Sequence, residues 1–171
     1  LILAIGATTA LKFSNEQIQD AVTLQAAEML AADLVITDNY PIENKWREEA
    51  KKLIQVTKEC FFEGIKYAKA GNHLFDISGA IGRYAEERGY GVVRDLCGHG
   101  IGTALHEAPE IPNYEVGRKG VKLRPGMTLA IEPMINIGTH EVDWLDDDWT
   151  VVTGDGSLSA HYENTILITE G

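Results

Sequence analysis

The sequence predicts an α+β fold in which helices cover one face of a curved antiparallel sheet. Two observations carry that expectation. Two stretches between residues 46 and 88 place apolar side chains at helical spacing, and after Gly89 the texture changes to short β-prone runs set between glycines and prolines. Helices followed by several short strands pack most simply as a sheet with its helices on one side.

The elements follow in order. Leu1 to Ile5 is a short apolar run. Ser14 reads as a helix N-cap, with Gln17 three residues on completing a capping box, and Ile18, Val22, Ala26 and Met29 share one helical face. Leu34-Val35-Ile36 is a buried-strand candidate that Asn39-Tyr40-Pro41 breaks. A long helix is expected from Trp46 to Lys69, with Trp46, Ala50, Leu53, Thr57, Cys60, Phe61 and Ile65 on its inner stripe and Ala70-Gly71-Asn72 as its stop. A second helix starts at Asp76 as N-cap, buries Ile77, Ala80, Ile81, Tyr84 and Ala85, and ends at Arg88-Gly89. Strands are expected in Gly91–Val93, Met127–Met134, Trp149–Thr153 and Tyr162–Thr169. A seam near residues 39–46 divides the chain into a strand-helix-strand segment, residues 1–44, and a body, residues 45–171.

The 15 basic and 26 acidic residues give a formal charge of −11, which argues against nucleic acid as a partner because phosphate binding needs a basic face. Such a balance fits either a solvated acidic surface or carboxylates gathered around cations. Two cysteines, Cys60 and Cys97, make no disulfide framework and point to a reducing cytosol. No apolar run approaches the ~20 residues of a membrane span.

Chemistry concentrates in three places. Cys97-Gly98-His99-Gly100-Ile101-Gly102 surrounds one histidine with glycines, which signals positive φ or a close approach, and leaves His99 on an open backbone. His106 and Glu107 follow. Arg124-Pro125-Gly126-Met127 turns into the apolar run Thr128–Ile131, which ends in Glu132-Pro133, a carboxylate that needs a partner if buried. Glu163 stands similarly at the mouth of a β-prone run. One imidazole with two carboxylates suits Mn, Fe, Co or Zn in a water-activating site.

The runs CGHGIGTALHEAP, KLRPGMTLAIEPMIN and DDDWTVVTGDGSLSAHYENTILIT, in that order, resemble type I methionine aminopeptidase, and the resemblance covers residues 45–171. Prolidases and proline aminopeptidases have a similar pattern but carry another histidine before the glycine-rich turn, and Val92 to Cys97 has none. The resemblance implies the pita-bread fold, wholly or as its carboxyl half, and two divalent cations (Co, Mn, Fe or Zn). It implies His99, Glu132 and Glu163 as metal ligands, Glu163 bridging and Glu132 also shuttling a proton. His106 would bind the substrate or its tetrahedral intermediate, and Cys97, Leu105 and Trp149 would wall a methionine pocket. The implied substrate is the amino terminus of a peptide or nascent protein, in the cytoplasm, with neither nucleic acid nor membrane as partner. The family places Gln where this chain has His161, two residues before Glu163.

The resemblance weakens upstream. Asp33-Leu34-Val35-Ile36-Thr37-Asp38 resembles the family's strand with Asp38 at a ligand position, but only Glu43 follows among acids before Trp46, and no histidine precedes His73. An omitted segment, a half-length chain or chimera, and a non-catalytic relative acting as a binding protein all fit. A half-length chain would expose the face its other half covers, which predicts a homodimer. Residues 1–43 also resemble the closing helix-strand unit of PIN-domain ribonucleases, with Asp20 and Asp38 as Mg²⁺-site acids.

Overall fold

The computed structural model describes residues 32–33 and 43–170. The expectations for Leu1–Ile5, the Ser14 helix, Asp20, Leu34–Ile36 and Asp38 lie outside the described residues.

Helix α1 spans Asn44–Ile65. No glycine or proline interrupts it before Gly64, and its outer face carries solvated side-chain pairs one turn apart, including Lys51–Glu48 at 2.7 Å and Gln55–Glu59 at 2.7 Å. Its inner stripe is the expected one except at its start. Leu53, Thr57, Cys60 and Phe61 are buried, whereas Trp46 is 46% exposed. Thr57 stays in the apolar stripe by donating its hydroxyl to the Leu53 carbonyl at 2.8 Å. The helix stops four residues short of Lys69. After it, Gly71 at φ +95° turns the chain, and its N–H donates to the Leu123 carbonyl at 3.0 Å.

Helix α2 spans Leu74–Glu86. Its N-cap is His73 rather than Asp76. Asp76 is the third helical residue and accepts from the His73 backbone N–H at 2.8 Å, so the acid serves the reciprocal half of a capping box. Ile77, Ile81 and Ala85 are fully buried against α1. The helices approach closely at Gly64, where a Cβ would meet Ile81 Cγ1 at 2.6 Å.

Ten short strands are described: β1 (Ala32–Asp33), β2 (Gly91–Val92), β3 (Gly98–Gly100), β4 (Glu107–Ile111), β5 (Thr128–Ile131), β6 (Met134–Asn136), β7 (Val142–Trp144), β8 (Val151–Thr153), β9 (Ser159–Tyr162) and β10 (Asn164–Leu167). They form one sheet in the order β1-β9-β6-β2, a second in the order β10-β5-β3-β4, and a β7-β8 ribbon. Every pairing is antiparallel. The α+β class is as expected, but the strands are finer than the sequence suggested. The apolar stretch Met127–Met134 is two strands, broken at Glu132-Pro133, and Tyr162–Thr169 divides at Glu163. Strands β3, β4 and β7 were not anticipated.

The core lies between the helices and the sheets. It contains Leu53, Phe61, Ile77, Ile81, Ile111, Leu129, Ile131, Ile135 and Tyr162. Helix α1 packs on β9 and β6, and Phe61 meets Tyr162 edge to face with ring centroids 5.3 Å apart. In β9, Ala160 and Tyr162 are buried while Ser159 and His161 are not. The strand's period of two therefore turns His161 away from the helices. Ile135 is 0% exposed on the central strand β6. Ile135→Ala is expected to destabilise the chain by roughly 2–5 kcal/mol in chemical denaturation.

Candidate metal centre

The chain changes sheets twice, and each change delivers a glutamate. Strand β5 of the second sheet leads through Glu132-Pro133 into β6 of the first, and β9 of the first leads through Glu163 into β10 of the second. Ile131 pairs with Asn164 on one side of the seam and Met134 with His161 on the other. These pairings share one register, which sets Glu132 opposite Glu163. The Tyr162 N–H donates to the Pro133 carbonyl across the seam at 3.1 Å. Two carboxylates facing each other across antiparallel strands repel unless a proton or cation lies between them.

Histidine 99 arrives from β3. His99 pairs with Ala130 of β5 on one side and Glu110 of β4 on the other. The flanking glycines are there for close approach: none of Gly98, Gly100 and Gly102 has positive φ. A Cβ at Gly98 would run into the Ala130 carbonyl oxygen, and one at Gly100 into the Ala108 carbonyl. The expected open turn is thus an extended strand pressed between two neighbours, and the His99 side chain is only 13% exposed. Its Nδ1 lies 2.8 Å from the Gly100 carbonyl oxygen. A carbonyl only accepts, so Nδ1 carries the proton and, in the neutral ring, Nε2 is the nitrogen left to bind a cation.

That nitrogen faces the carboxylates. His99 Nε2 is 3.5 Å from Glu132 Oε1, and ligand atoms of His99, Glu132 and Glu163 all lie within 4.8 Å of one another. Among the described residues this is the group of imidazole and carboxylate donors able to hold a cation. His161 Nε2 lies 3.3 Å from the other Glu132 oxygen. The His106 ring stacks at a tilt on His99, centroids 4.3 Å apart. His106 is held by a closed loop in which the Glu107 carboxylate accepts from Thr103 Oγ1 at 3.1 Å and from the Ala104 N–H at 3.3 Å.

Residues 16–170 match metallopeptidase family M24. The chain belongs to that family. It is 59% identical over 123 residues to a methionine aminopeptidase of Clostridium acetobutylicum, in a match covering 72% of this chain and 49% of the relative. A methionine aminopeptidase A of Synechocystis is 43% identical, over 91% of this chain and 67% of the relative. Among solved structures, a methionine aminopeptidase of Thermotoga maritima superposes with a TM-score of 0.70 at 51% identity, covering 72% of this chain and 50% of that one. A prolidase of Pyrococcus horikoshii gives 0.54 at 26%, covering 72% and 30%. The fold is therefore the pita-bread fold of the M24 aminopeptidases. The chain spans about half the length of the first curated relatives it matches. The M24 match begins at residue 16 and so takes in most of residues 1–43, the stretch that also resembles a ribonuclease unit.

Of the residues singled out in the sequence, the M24 chain brings His99, Glu132, Glu163 and His106 together. It does not gather Cys97, Leu105 and Trp149 into one described pocket. Leu105 is 68% exposed, and Trp149, in the β7-β8 turn, is 86% exposed. Cys97 is half-buried, and burial, reinforced by the charges of Glu110 and Glu132, pushes its thiol above the ordinary value. One residue had no signal in the sequence. Asn113, fully buried just after β4, donates its side-chain amide to the Glu132 backbone carbonyl at 3.0 Å and so pins the seam. Its Pro-Asn setting reads as an ordinary turn.

Gly98→Ala forces β3 away from β5 and is expected to cost roughly 1–3 kcal/mol by thermal unfolding. Cation affinity should fall in the same variant, measured by titration of the folded protein.

Proposed function

We propose that this chain carries the carboxyl-side part of a dinuclear-metal aminopeptidase centre that removes amino-terminal methionine from peptides and nascent proteins. The observation that carries the reading is the pairing of Glu132 with Glu163 across the sheet seam, His99 Nε2 beside them. In a member of M24, opposed carboxylates and an imidazole with its Nδ1 tied down are a donor set that fits Mn, Fe, Co or Zn. Its charge also removes the cost of leaving the carboxylates face to face. When bound, such cations supply Lewis acidity and make water nucleophilic near neutral pH.

The residues divide the remaining work. Glu163, the more exposed carboxylate, faces both the seam and the solvent side and is the group suited to span two cations. Glu132, whose side chain is 13% exposed, would take a proton from the attacking water and return it to the leaving amine while it helps to hold a cation. His106, beside His99 on an exposed loop, can donate a hydrogen bond to the scissile carbonyl as charge develops on its oxygen. Asp38 is proposed as a further ligand from the resemblance alone. Cys97, Leu105 and Trp149 are proposed as the methionine pocket from the resemblance alone. Both cysteines are free, in keeping with a cytoplasmic place of action.

Release of methionine from a Met-Ala-Ser peptide with added Mn²⁺ or Co²⁺ is the test. Glu132→Gln is expected to lower the rate about 100-fold or more, and His106→Ala roughly 100-fold. A folded chain that binds two cations yet releases no methionine overturns the reading, as does one that binds none.

A further inference from the structure

His161 stands where the strand's alternation turns it away from the helices, one residue before Tyr162 and two before Glu163. Its backbone pairs with Met134 on one side and with Asp33 of β1 on the other. The side chain is 33% exposed, but its Nε2 atom is buried and makes no hydrogen bond. Glu132 Oε2 lies 3.3 Å away, near enough to be a partner yet out of line for a hydrogen bond from the ring. A buried ring nitrogen without a partner costs free energy, on the order of 1–3 kcal/mol, and that cost is relieved by something the nitrogen can bind.

The spacing of the neighbouring donors indicates what. Two donors on one first-row cation, each at about 2.1 Å, are separated by about 3.0 Å at a right angle and about 3.4 Å at the tetrahedral angle. The Glu132 carboxylate presents Oε1 to His99 Nε2 at 3.5 Å and Oε2 to His161 Nε2 at 3.3 Å. Both separations are those of donor pairs around an ion, and neither imidazole–carboxylate contact has hydrogen-bond geometry. One carboxylate thus lies between two ring nitrogens, each at ligand-to-ligand spacing from a different oxygen.

We propose that His161 is a metal ligand, a second imidazole that shares a cation with Glu132 on the side opposite His99. The proposal rests on the metal-centre reading given above. It extends that reading by making the centre richer in nitrogen than one histidine and two glutamates, which favours Co, Fe or Zn over Mn.

X-ray absorption at the cobalt edge of the full chain loaded with Co²⁺ counts imidazoles directly, through their multiple-scattering signature. Counted per chain, as the average per cobalt multiplied by the cobalt bound, the expected result is two imidazoles in the unaltered chain, from His99 and His161, and one in His161→Gln, with Co²⁺ affinity about tenfold weaker in the variant. A count of one imidazole in the unaltered chain overturns the proposal, whatever the variant does, and leaves His161 as a neighbour that merely positions Glu132. An unchanged count in a folded His161→Gln overturns it as well. Failure of the unaltered chain to bind Co²⁺ at all overturns the metal-centre reading itself, and this inference with it.

Discussion

The closeness of three backbones around β3 governs the rest of the structure. Strand β3 lies between β4 and β5 at a separation that no side chain at Gly98 or Gly100 could share. Hydrogen bonding alone would allow alanine in a strand. The Ala130 and Ala108 carbonyl oxygens are what forbid it. That compression sets the depth of His99 over the seam, and the Gly100 carbonyl, part of the same strand, fixes its tautomer. A conformationally costly residue thus serves twice, by making room and by offering an acceptor.

The second organising feature is economy of connection between the sheets. Glu132 and Glu163 are not projected inward from strand centres. They occupy the places where the ladder of β6 and β9 gives way to that of β5 and β10. Ladder hydrogen bonds on both sides hold the two acids in register, and Asn113 fastens the Glu132 carbonyl from a third direction. The repulsion between the acids is therefore held in place by backbone bonds, while α1, packed on the other side of β9 and β6, and α2 behind it contribute the apolar burial that keeps the frame closed.

Much of this was legible in the sequence, for reasons that can be named. Helices α1 and α2 declared themselves because Leu53, Cys60, Phe61, Ile77 and Ile81 repeat at the helical period with little competing signal. Glu132 and Glu163 stood out because carboxylates beside apolar runs need an explanation, and His99 because glycines surround it. Strand β3 was not legible: Gly-His-Gly has no β-propensity, and only its neighbours make it a strand. Splitting of the two long apolar stretches was likewise hidden, because a residue that changes sheets looks in sequence like one that ends a strand. The cap of α2 was misread by three residues because Asp76 is a good cap by type, and here it acts from the third helical position. Trp46 matched the apolar stripe by spacing, but it lies in the first turn of α1 and is 46% exposed.

The passage from β9 to β10 is made in a single residue, Glu163. Upstream of it, Ala160 and Tyr162 belong to the core and His161 to the opposite face. Adding or deleting one residue anywhere in this short stretch would exchange those assignments together, turning an imidazole into the apolar layer and a tyrosine out of it. An insertion or deletion here therefore disturbs the apolar layer and the metal-facing side at once, where a single substitution disturbs only one of them. For residues 159–163, then, spacing is as strict a requirement as identity.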